Sequence, residues 1–532
     1  MTLRSVTHRL FFLIALNALL YGGLASLYPL GPGLVYPRLT WAQQAVAEHR
    51  ALAAGSAQLG LYLALFGVYT LAIVGVVSRA RASSALAPPA LWLIVGGWLI
   101  CSLVLLGSFP GESADIFDYI FRGRMLSDYG LSPLTHRPVE IDNTPFHRYV
   151  SWDDWVDAYG PVWEYASATV AWLVHRVASP AEMLVHINQT CDVQAAVCTL
   201  LAKYVTGYRL LATLLTGACG LCIFTIVRHL THSASRATSA LLLWLWNPLV
   251  ILSTAVGAHN DVLMLVFILL GLLCAARKGW LLAWLLLLVS AHVKITALVL
   301  VPVLGLWTAH RIGWRAALRT ALMALAITLP ISFGLYAPLG GWATLPRNLY
   351  ERSLESANSV GELLYRALRE SVGLVRPEAQ RLASRAALIA FLVASTPLVW
   401  VAWRRRPGRG GAPEAADYWS HMALLVTSLY LGLGSFWFQA WYLVLPVALV
   451  ALLGRSRLTS VVSAYCAGAL LAAVVSDYLR AGDVFPSWVV SVAVVVLIML
   501  PPVAVSAMTA IRRRSQALLL YRAMSAPSQS SR

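Results

Sequence analysis

The sequence predicts an all-α polytopic membrane protein with about 13–14 transmembrane helices, each an apolar run long enough to cross the bilayer. Such runs recur along the whole chain, for example at residues 59–77, 237–256 and 488–505. Only 12% of the 532 residues are charged and the mean hydropathy is +0.71, whereas soluble domains contain about 25% charged residues. Strands of about 10 residues with alternating polarity would indicate a membrane β-barrel, and the sequence lacks that pattern.

Thirteen apolar segments are predicted to span the membrane, and one more net crossing is required between residues 161 and 227. The thirteen segments lie near residues 10–28, 57–77, 89–108, 237–256, 260–276, 279–291, 292–308, 316–336, 385–403, 419–435, 437–454, 458–476 and 486–506. Two apolar pieces, Val162–Val177 and Leu210–Val227, lie where the remaining crossing is needed. Either one crosses while the other lies in the interface or re-enters, or a third crossing lies near 192–205. The first apolar run follows Arg4 and Arg9 without a small-residue cleavage site, which predicts an uncleaved first helix.

The basic balance of the chain is a topology signal. Its 40 Lys and Arg residues outnumber its 23 Asp and Glu residues, and the net charge is +17. The short loops between predicted spans are rich in Arg, which marks the cytoplasmic side of a membrane protein and favours contact with anionic membrane lipids. This distribution predicts a multi-pass protein of the cell (plasma) membrane with both termini in the cytoplasm, and it argues against nucleic-acid binding.

The whole chain, residues 1–532, is predicted to form one integral-membrane domain. Two long loops, 109–160 and 337–384, are predicted on the outer face, and Ser359–Glu370 in the second has helical periodicity. The tail 515–532 contains Ser and Pro and is predicted to be cytoplasmic and disordered. The seven Cys residues form no paired CxxC pattern, so we expect neither a zinc site nor a disulfide framework.

The acidic residues are concentrated in the first long loop. Ten of the 23 lie between residues 112 and 164: Glu112, Asp115, Asp118, Asp128, Glu140, Asp142, Asp153, Asp154, Asp157 and Glu164. The rest of the chain is mostly apolar, and its other charges are mostly Arg. This gathering of carboxylates predicts that the chemistry takes place in the loop 109–160.

The segment that begins at Asp115 suits an amphipathic helix. At 3.6 residues per turn, Asp115, Asp118 and Arg122 fall within roughly 60° of one another, and apolar side chains occupy the other side. Such a helix would lie at the outer interface with its carboxylates facing a water-filled cavity. One carboxylate could take a proton from an attacking hydroxyl, and the Arg could hold a phosphate. The alternative is a solvated helix face with an Asp118–Arg122 ion pair.

A second stretch of the loop interleaves aromatic and acidic residues. Trp152-Asp153-Asp154-Trp155 is followed by Asp157 and Tyr159. Aromatic rings can stack on the C–H faces of sugars, and carboxylates can accept hydrogen bonds from sugar hydroxyls. Asp153, Asp154, Trp155 and Tyr159 are therefore candidate sugar-binding residues. The alternative is an interfacial aromatic belt, where Trp and Tyr collect in any membrane protein.

Two polar features lie close to the membrane. His259-Asn260-Asp261 forms a tight turn between two predicted spans, and Lys294, one of only three lysines, begins another span on the outer side. Charges at membrane depth are costly and mark functional sites, so the ammonium is a candidate ligand for a lipid phosphate. The alternatives are a lysine that extends to the headgroups and a polar turn in which Asn260 caps the next helix.

Four stretches in a fixed order resemble the GT-C superfamily of integral-membrane glycosyltransferases, most closely polyprenyl-phosphomannose-dependent mannosyltransferases of the alpha-1,6 type. They are Asp115-Ile-Phe-Asp118-Tyr with Gly123-Arg and Gly130-Leu-Ser-Pro133, then Tyr159-Gly-Pro-Val-Trp163, then Trp246-Asn-Pro248 with Gly257-Ala-His259-Asn260-Asp261, then Val293-Lys294. The resemblance covers roughly residues 100–310. No single stretch is specific, whereas the set in this order is.

The resemblance implies a GT-C-like fold in which the first acidic residue of the first long outer loop, here Asp115, is the catalytic base. The superfamily often has a close pair of acids in this loop. Here the pair is spaced as Asp115-x-x-Asp118, so Asp118 is a second catalytic candidate whose role the pattern leaves open. The resemblance also implies a polyprenyl-phosphate sugar donor, action on the non-cytoplasmic face and inversion of the anomeric centre.

The resulting hypothesis is transfer of a hexose, with mannose as the expected sugar, to a glycan or glycolipid acceptor. Lys294 and one of Arg122 and Arg124 would hold the donor phosphate. The residues assigned to the sugar and the acceptor are Asp153, Asp154, Trp155, Tyr159, His259, Asn260 and Asp261. No metal-binding residue and no cofactor is expected, because cations can neutralise a lipid-phosphate leaving group, and divalent-metal dependence is left open.

Two other classes of protein remain alternatives. A transporter or flippase of lipid-linked glycans would show paired inverted halves with broken helices, and the sequence has no such internal symmetry. An O-antigen-ligase-like polymerase would have a late outer loop rich in Arg and His. The loop 337–384 has Arg but no His.

Overall fold

The structure is a computed structural model that describes residues 3–35, 39–77, 88–141, 146–179, 195–404, 412–454, 456–483 and 485–525. The described residues are almost entirely helical and form no strand beyond two isolated bridges, Pro29 with Ser108 and Ala357 with Trp437. Backbone polar groups in a bilayer must be satisfied within the chain, which favours helices. The protein is an all-α polytopic membrane protein, as the sequence predicts.

Eight described helices are long and apolar enough to cross a membrane: Thr7–Leu27, Ala51–Gly75, Cys198–Thr231, Ile295–Ile312, Trp314–Leu339, Arg376–Arg404, Arg457–Ala481 and Ser487–Ile511. A ninth span is formed if Ala234–Leu245 and Pro248–Val256 are taken as one broken helix with a bend of 58°. The described part of the chain also contains four shorter apolar helices: Pro89–Leu105, Asp261–Ala276, Trp280–Ala291 and Ala440–Leu453. These elements account for most of the predicted spans.

The remaining helical elements are short or more polar. They are Leu30–Val35, Trp41–Ala47, Asp115–Asp128, Pro138–Glu140, His147–Tyr149, Pro161–Val177, Ala337–Leu339, Thr344–Arg352, Val360–Glu370 and Ala412–Leu429. The predicted helix near Ser359–Glu370 is confirmed as Val360–Glu370, with the Ser359 hydroxyl capping its first turn. The final helix runs from Ser487 to Ser525, so residues 515–525 of the predicted tail are helical, and residues 526–532 lie outside the described residues.

The path between residues 161 and 227 consists of two helices in the described part of the chain. Pro161–Val177 is separated from Ala195–Thr231 by residues that are not described. Residues 195–205 belong to the same continuous helix as residues 206–231, so a separate third crossing at those positions is wrong. The helix of 37 residues joins the cavity region described below to the Arg-rich end near Arg228.

The helix Asp115–Asp128, called the acidic helix below, is buried within the protein. Residues 116–125 are all buried, including Arg122 and Arg124. The expectation of a helix that lies at the interface with one open face is therefore wrong. The helix packs instead against Pro161–Val177, where the Ser167 hydroxyl donates to the Tyr119 carbonyl at 3.0 Å.

The second predicted outer loop packs on the first. Ser132 donates through its hydroxyl to the Leu339 carbonyl at 2.9 Å, and the Asn348 amide donates to the Asp157 carbonyl at 2.6 Å. The helix Thr344–Arg352 is held against the acidic segment by these bonds. The two long polar segments therefore form one layer over the apolar helices.

One cysteine departs from the sequence expectation. Cys198 is disulfide-bonded, whereas Cys101, Cys219, Cys222, Cys274 and Cys466 are free. The expectation that the cysteines form no disulfide framework is wrong at this position, because a disulfide needs no CxxC spacing in the sequence. Cys198 lies in the first turn of the long helix Ala195–Thr231.

Candidate functional site

A cavity of about 380 Å³ lies where the two polar segments meet the apolar helices. Its walls come from residues 112–122 and 151–159, from Lys294 and the two residues after it, and from the C-terminal segments 349–358, 437–442 and 473–477. Cavities of this size hold small ligands and are commonly lined by aromatic groups with a few polar side chains. Asp115, Asp118, Arg122, Tyr159 and Lys294 of the predicted site residues line it.

Asp115 is the first residue of the acidic helix. Its backbone N–H donates to the Ser113 hydroxyl oxygen at 3.1 Å, and a helix N-terminus favours negative charge. The side chain is 18% exposed, and its Oδ2 lies 3.7 Å from Nδ1 of His259. Burial raises the pKa of the Asp115 carboxyl, while Arg352 and Lys294 lower it. A partly exposed carboxylate with a raised pKa suits a general base.

Asp118 holds the backbone of the aromatic stretch. Its carboxylate accepts from the backbone N–H groups of Ser151 at 3.3 Å and Trp152 at 3.0 Å. Burial raises the pKa of Asp118 to about 7, although Arg122 lowers it. Its hydrogen bonds therefore fix the cavity wall, and this structural task distinguishes it from Asp115.

Arg122 is occupied by the same stretch. Its guanidinium donates to the carbonyls of Trp152 and Trp155, both at 2.9 Å, and its Nε lies 3.7 Å from Oδ2 of Asp157. The ion pair with Asp118 that the helical spacing suggested is replaced by these contacts. Arg122 lines the cavity and donates to the loop through Nη2, whereas its buried Nη1 has no hydrogen-bond partner among the described residues.

Arg124 lies away from the cavity. Its Nε donates to Oδ2 of Asp128 at 2.9 Å, and its guanidinium lies over the rings of Tyr129, Phe146 and Tyr204. It is absent from the cavity wall in the described part of the chain. On a helix, residues 122 and 124 point in directions about 200° apart, so only one of them can face the cavity.

Asp153, Asp154 and Trp155 also lie off the wall of this cavity, whereas Trp152, Asp157 and Tyr159 line it. Asp154 is exposed. Asp118 and Arg122 hold the main chain of this stretch through its N–H and carbonyl groups. The sequence pattern could not give the direction of each side chain in an irregular segment.

Lys294 forms a buried ion pair with Asp261. Its Nζ lies 2.9 Å from both carboxylate oxygens, and it stands over the rings of Tyr442 at 4.3 Å and Tyr159 at 5.6 Å. The residue is only 8% exposed, so extension of its side chain to the headgroups is wrong. A buried pair of this kind is costly to leave unmade, and it brings a cation to the cavity wall.

His259 and Asn260 are buried beside this pair, each 1% exposed. The His259 ring stacks on Trp441 with centroids 3.7 Å apart. Burial, and then Lys294, lowers the pKa of His259 well below its usual value, so the ring is neutral. Asn260 precedes the helix Asp261–Ala276 without making a side-chain capping bond, so the capping alternative is wrong. Neither residue lines the cavity directly.

Two stretches that lie far apart in the sequence meet at the backbone. The N–H of Gly160 donates to the Val293 carbonyl and that of Val162 to the His292 carbonyl, both at 3.0 Å. A Cβ at position 160 would overlap the His292 carbonyl, so this close approach requires glycine. The contact places Tyr159 and Lys294 on the same wall.

The turn that carries His259 follows a break in the preceding helix. Pro248 lacks the N–H that would continue the helix from Leu245, and the Asn247 side chain caps the new start by accepting from Leu249 at 3.0 Å. The chain then bends by 58°. The bend directs residues 256–261 toward the cavity.

Arg209 joins this turn to the loop before the acidic helix. It is fully buried, and its guanidinium donates to the carbonyls of Val256, Leu105, Leu106 and Ser108 at 2.8–3.3 Å. One side chain therefore binds the ends of two helices, each of which leaves carbonyls without helical partners. Arg209 positions both loops that carry the site.

The sequence interpretation did not assign five charged residues of the cavity wall to the site: Glu112, Asp157, Arg352, Glu355 and Asp477. Asp477 is a lone acid in an apolar span, which is itself a signal of function. Arg352 could not be told from the neighbouring arginines of its loop. Its guanidinium stands 4.7 Å over the Trp152 ring, a contact made by tertiary packing. Within the described residues, no three His, Cys, Asp or Glu side chains come together as metal ligands.

Comparison with known proteins places the chain in a family. Residues 19–310 match the family model described as Alpha-(1->6)-mannopyranosyltransferase, N-terminal domain. The chain is 26% identical over 366 residues to Alpha-(1->6)-mannopyranosyltransferase A of Mycobacterium tuberculosis, covering 66% of this chain and 64% of that protein. It is 27% identical over 201 residues to the protein of the same name from Corynebacterium glutamicum, covering 37% and 35%.

The matched regions thus span less than two thirds of either relative. The family match includes all four stretches on which the resemblance rests and more than half of the chain. The resemblance to mannosyltransferases is therefore confirmed, and the chain belongs to the alpha-(1->6)-mannopyranosyltransferase family described by that model.

Proposed function

We propose that the protein is an inverting mannosyltransferase that moves mannose from a polyprenyl-phosphate donor to a glycan or glycolipid acceptor on the outer face of the membrane. The observation that carries this proposal is the position of Asp115. Its partly exposed carboxylate lies on the wall of a cavity that two cations, Lys294 and Arg352, also line. A base and a phosphate-binding pair in one cavity are the groups that this reaction needs.

In the proposed reaction, Asp115 takes the proton of an acceptor hydroxyl as its oxygen attacks the anomeric carbon. The bond from that carbon to the phosphate oxygen breaks, and polyprenyl phosphate leaves with both bonding electrons. Negative charge grows on the leaving phosphate during this step. Lys294 and Arg352 would therefore stabilise the transition state more than the bound donor, which is the condition for catalysis.

The choice of Arg352 revises the sequence hypothesis for the phosphate ligands. Arg124 is bound to Asp128, and Arg122 is bound to backbone carbonyls of the loop. Arg352 stands over an aromatic ring and lines the cavity, so its fork of donors can reach a phosphate. Lys294 is oriented by Asp261 and would act as the second cation.

The aromatic residues of the cavity fit a sugar ligand. Tyr159, Trp441 and Tyr442 line the wall next to Lys294, and Trp152 lies beside Arg352. Aromatic rings bury large area with little loss of side-chain freedom. A hexose bound at these rings would have its phosphate between the two cations.

The outer-face assignment is supported by the disulfide-bonded Cys198, because disulfides persist in oxidising compartments outside the cytosol. Cys198 begins the same helix that carries Tyr208, whose hydroxyl donates to the Tyr119 carbonyl of the acidic helix at 2.9 Å. The other end of that helix carries Arg228, in keeping with a cytoplasmic Arg-rich side.

The test is transfer by the purified protein in lipid, with a panel of synthetic polyprenyl-phosphate sugars. Asp115→Asn is expected to remain folded and to lose about 10²–10⁴-fold in rate, the usual effect of removing a general base. Asp154→Asn is the matched control, because Asp154 is an exposed acid of the same loop that lies off the cavity wall. It should transfer at the wild-type rate.

An active Asp115→Asn protein would rule out the assigned base. If the wild type consumes no donor and labelled lipid-linked sugar crosses the bilayer instead, a transporter replaces the enzyme as the function.

A further inference from the structure

One end of the cavity is lined by Thr40, Glu112, Ser476 and Asp477. A narrow crevice adjoins this end and shares Glu112 and Asp477 with it, and Gln58 and Tyr478 lie on the crevice wall. We propose that this end, called the carboxyl end below, is the subsite that binds the acceptor sugar. The inference rests on the proposed mannosyl transfer and adds to it the place and chemistry of acceptor recognition.

The first argument concerns which charged groups interact with Asp115 and which with Glu112. Burial raises the pKa of Asp115, while Arg352 and Lys294 lower it. Burial also raises the pKa of Glu112, to about 8, with Asp477 raising it, Arg209 lowering it and Asp115 raising it. Asp115 thus interacts with the cations and with Glu112, and Glu112 interacts with Asp477. The base therefore interacts electrostatically both with the cationic part of the cavity and with the carboxyl end.

The second argument is the geometry that inversion of the anomeric carbon requires. The attacking hydroxyl and the leaving phosphate must lie on opposite sides of the anomeric carbon. If Lys294 and Arg352 hold the phosphate, the acceptor hydroxyl must approach the anomeric carbon from the side opposite to these two cations. The base must also contact that hydroxyl. The acceptor therefore occupies the cavity beyond Asp115, which is the carboxyl end.

The third argument is that the Glu112 carboxyl group has no hydrogen-bond partner. Within the described residues, neither of its buried carboxyl oxygens has a hydrogen-bond partner. A buried polar group left without a partner costs about 1–3 kcal/mol, so a ligand that supplies partners binds with that advantage. With a pKa of about 8, Glu112 is protonated at neutral pH and can both donate to and accept from hydroxyl groups.

The chemistry of the carboxyl end fits a neutral polyol rather than an anion or a metal ion. Its side chains offer two carboxyl groups and two hydroxyls, and the adjoining crevice adds an amide and a phenol. Groups that can donate and accept match the hydroxyls of a sugar, and among the described residues no Lys or Arg lines this end or the crevice to hold a phosphate. A carbohydrate acceptor is the ligand class that this end would take.

Two of these residues come from a late part of the chain. Ser476 and Asp477 lie near the end of the helix Arg457–Ala481, outside the family match at residues 19–310. The base and Lys294 lie inside that match. The part of the chain beyond the family match would therefore take part in acceptor choice, as Arg352 takes part in phosphate binding.

The experiment measures acceptor and donor KM separately for purified protein in lipid, with polyprenyl-phosphate mannose as donor and octyl α-mannoside as the acceptor probe. Asp477→Asn is expected to raise the acceptor KM about tenfold, as for the loss of one buried hydrogen bond. The donor KM should stay within about twofold of the wild-type value, because Lys294 and Arg352, and not Asp477, are proposed to hold the donor phosphate. Asp483→Asn, at an exposed turn after the same helix, is the matched control and should match the wild type.

Glu112→Gln gives an independent reading if Asp477→Asn fails to fold, and it should likewise raise the acceptor KM alone. An unchanged acceptor KM in the folded variants, or a donor KM that rises in their place, would overturn the acceptor subsite while leaving mannosyl transfer intact. A wild-type protein that consumes no donor would instead overturn the proposed function, and the subsite with it.

Discussion

Removal of the Arg352 charge tests the revised phosphate site most directly. In Arg352→Gln the leaving phosphate loses one of its two proposed cations. Removing a single group that stabilises developing charge costs about 2.7–4 kcal/mol, or about 10²–10³-fold in kcat. The same change removes the contact of the guanidinium with the Trp152 ring, which is worth about 0.5–1 kcal/mol at such sites. We therefore expect a large loss of rate with little loss of stability.

The pH profile provides a second reading of the same variant. Asp115 must be ionised to act as a base, so kcat/KM falls as the pH falls through its pKa. Burial raises that pKa and Arg352 lowers it. Without Arg352 the pKa rises further, and the acidic limb of the profile moves to higher pH.

The assay is donor consumption and transfer with purified protein in lipid, measured across pH, together with thermal unfolding. Arg347→Gln is the matched control, because Arg347 lies on the same helix, pairs with Glu351 and has 60% of its side chain exposed. It should change neither kcat nor the profile. If Arg352→Gln keeps kcat within about threefold and an unmoved acidic limb, Arg352 has no role at the phosphate and the reasoning from the cavity wall fails.

Three further predictions concern Arg209, Lys294 and metal dependence. Arg209→Met removes the hydrogen bonds to four carbonyls that hold both site loops. It should lower kcat/KM at least about 10²-fold, because displacements of catalytic groups near 1 Å have that effect. Arg228→Gln, at the far end of the same helix, is the control and should behave as wild type. Lys294→Met leaves the Asp261 charge buried without its ion-pair partner and should destabilise the protein by about 3–5 kcal/mol. The double variant Lys294→Met with Asp261→Leu should recover stability in thermal unfolding, because no charge is left unpaired. It should not recover sugar transfer. A chelator such as EDTA should leave the transfer rate unchanged, because two protein cations are proposed to neutralise the leaving phosphate; loss of activity that a divalent cation restores would contradict this.

The candidate site shows where sequence reasoning reaches and where it stops. The helix that begins at Asp115, the position of this residue on a polar cavity, and the location of Lys294 near it were all predictable from spacing and from the cost of charge in apolar segments. Arg124 was grouped with Arg122 because both follow the acids in sequence. Their side chains point to opposite sides of a helix that is buried all round, so one binds the loop and the other binds Asp128.

The sequence by itself determined the class of the protein, because recurring apolar runs can satisfy their backbone in a bilayer only as helices. It also determined where the acids are gathered and which four stretches carry the family likeness. These are local properties, set by the residues within a segment and the solvent that surrounds it.

Only the tertiary structure decided which charges share a cavity. Gly160 meets His292 and Val293 through the backbone, and Arg209 binds two loops that lie about 150 residues apart in the chain. Arg352 and Asp477 reach the same cavity from segments that show no local sign of their partner. Contacts between such distant segments depend on how whole helices pack, and a pattern within one segment holds no record of that packing.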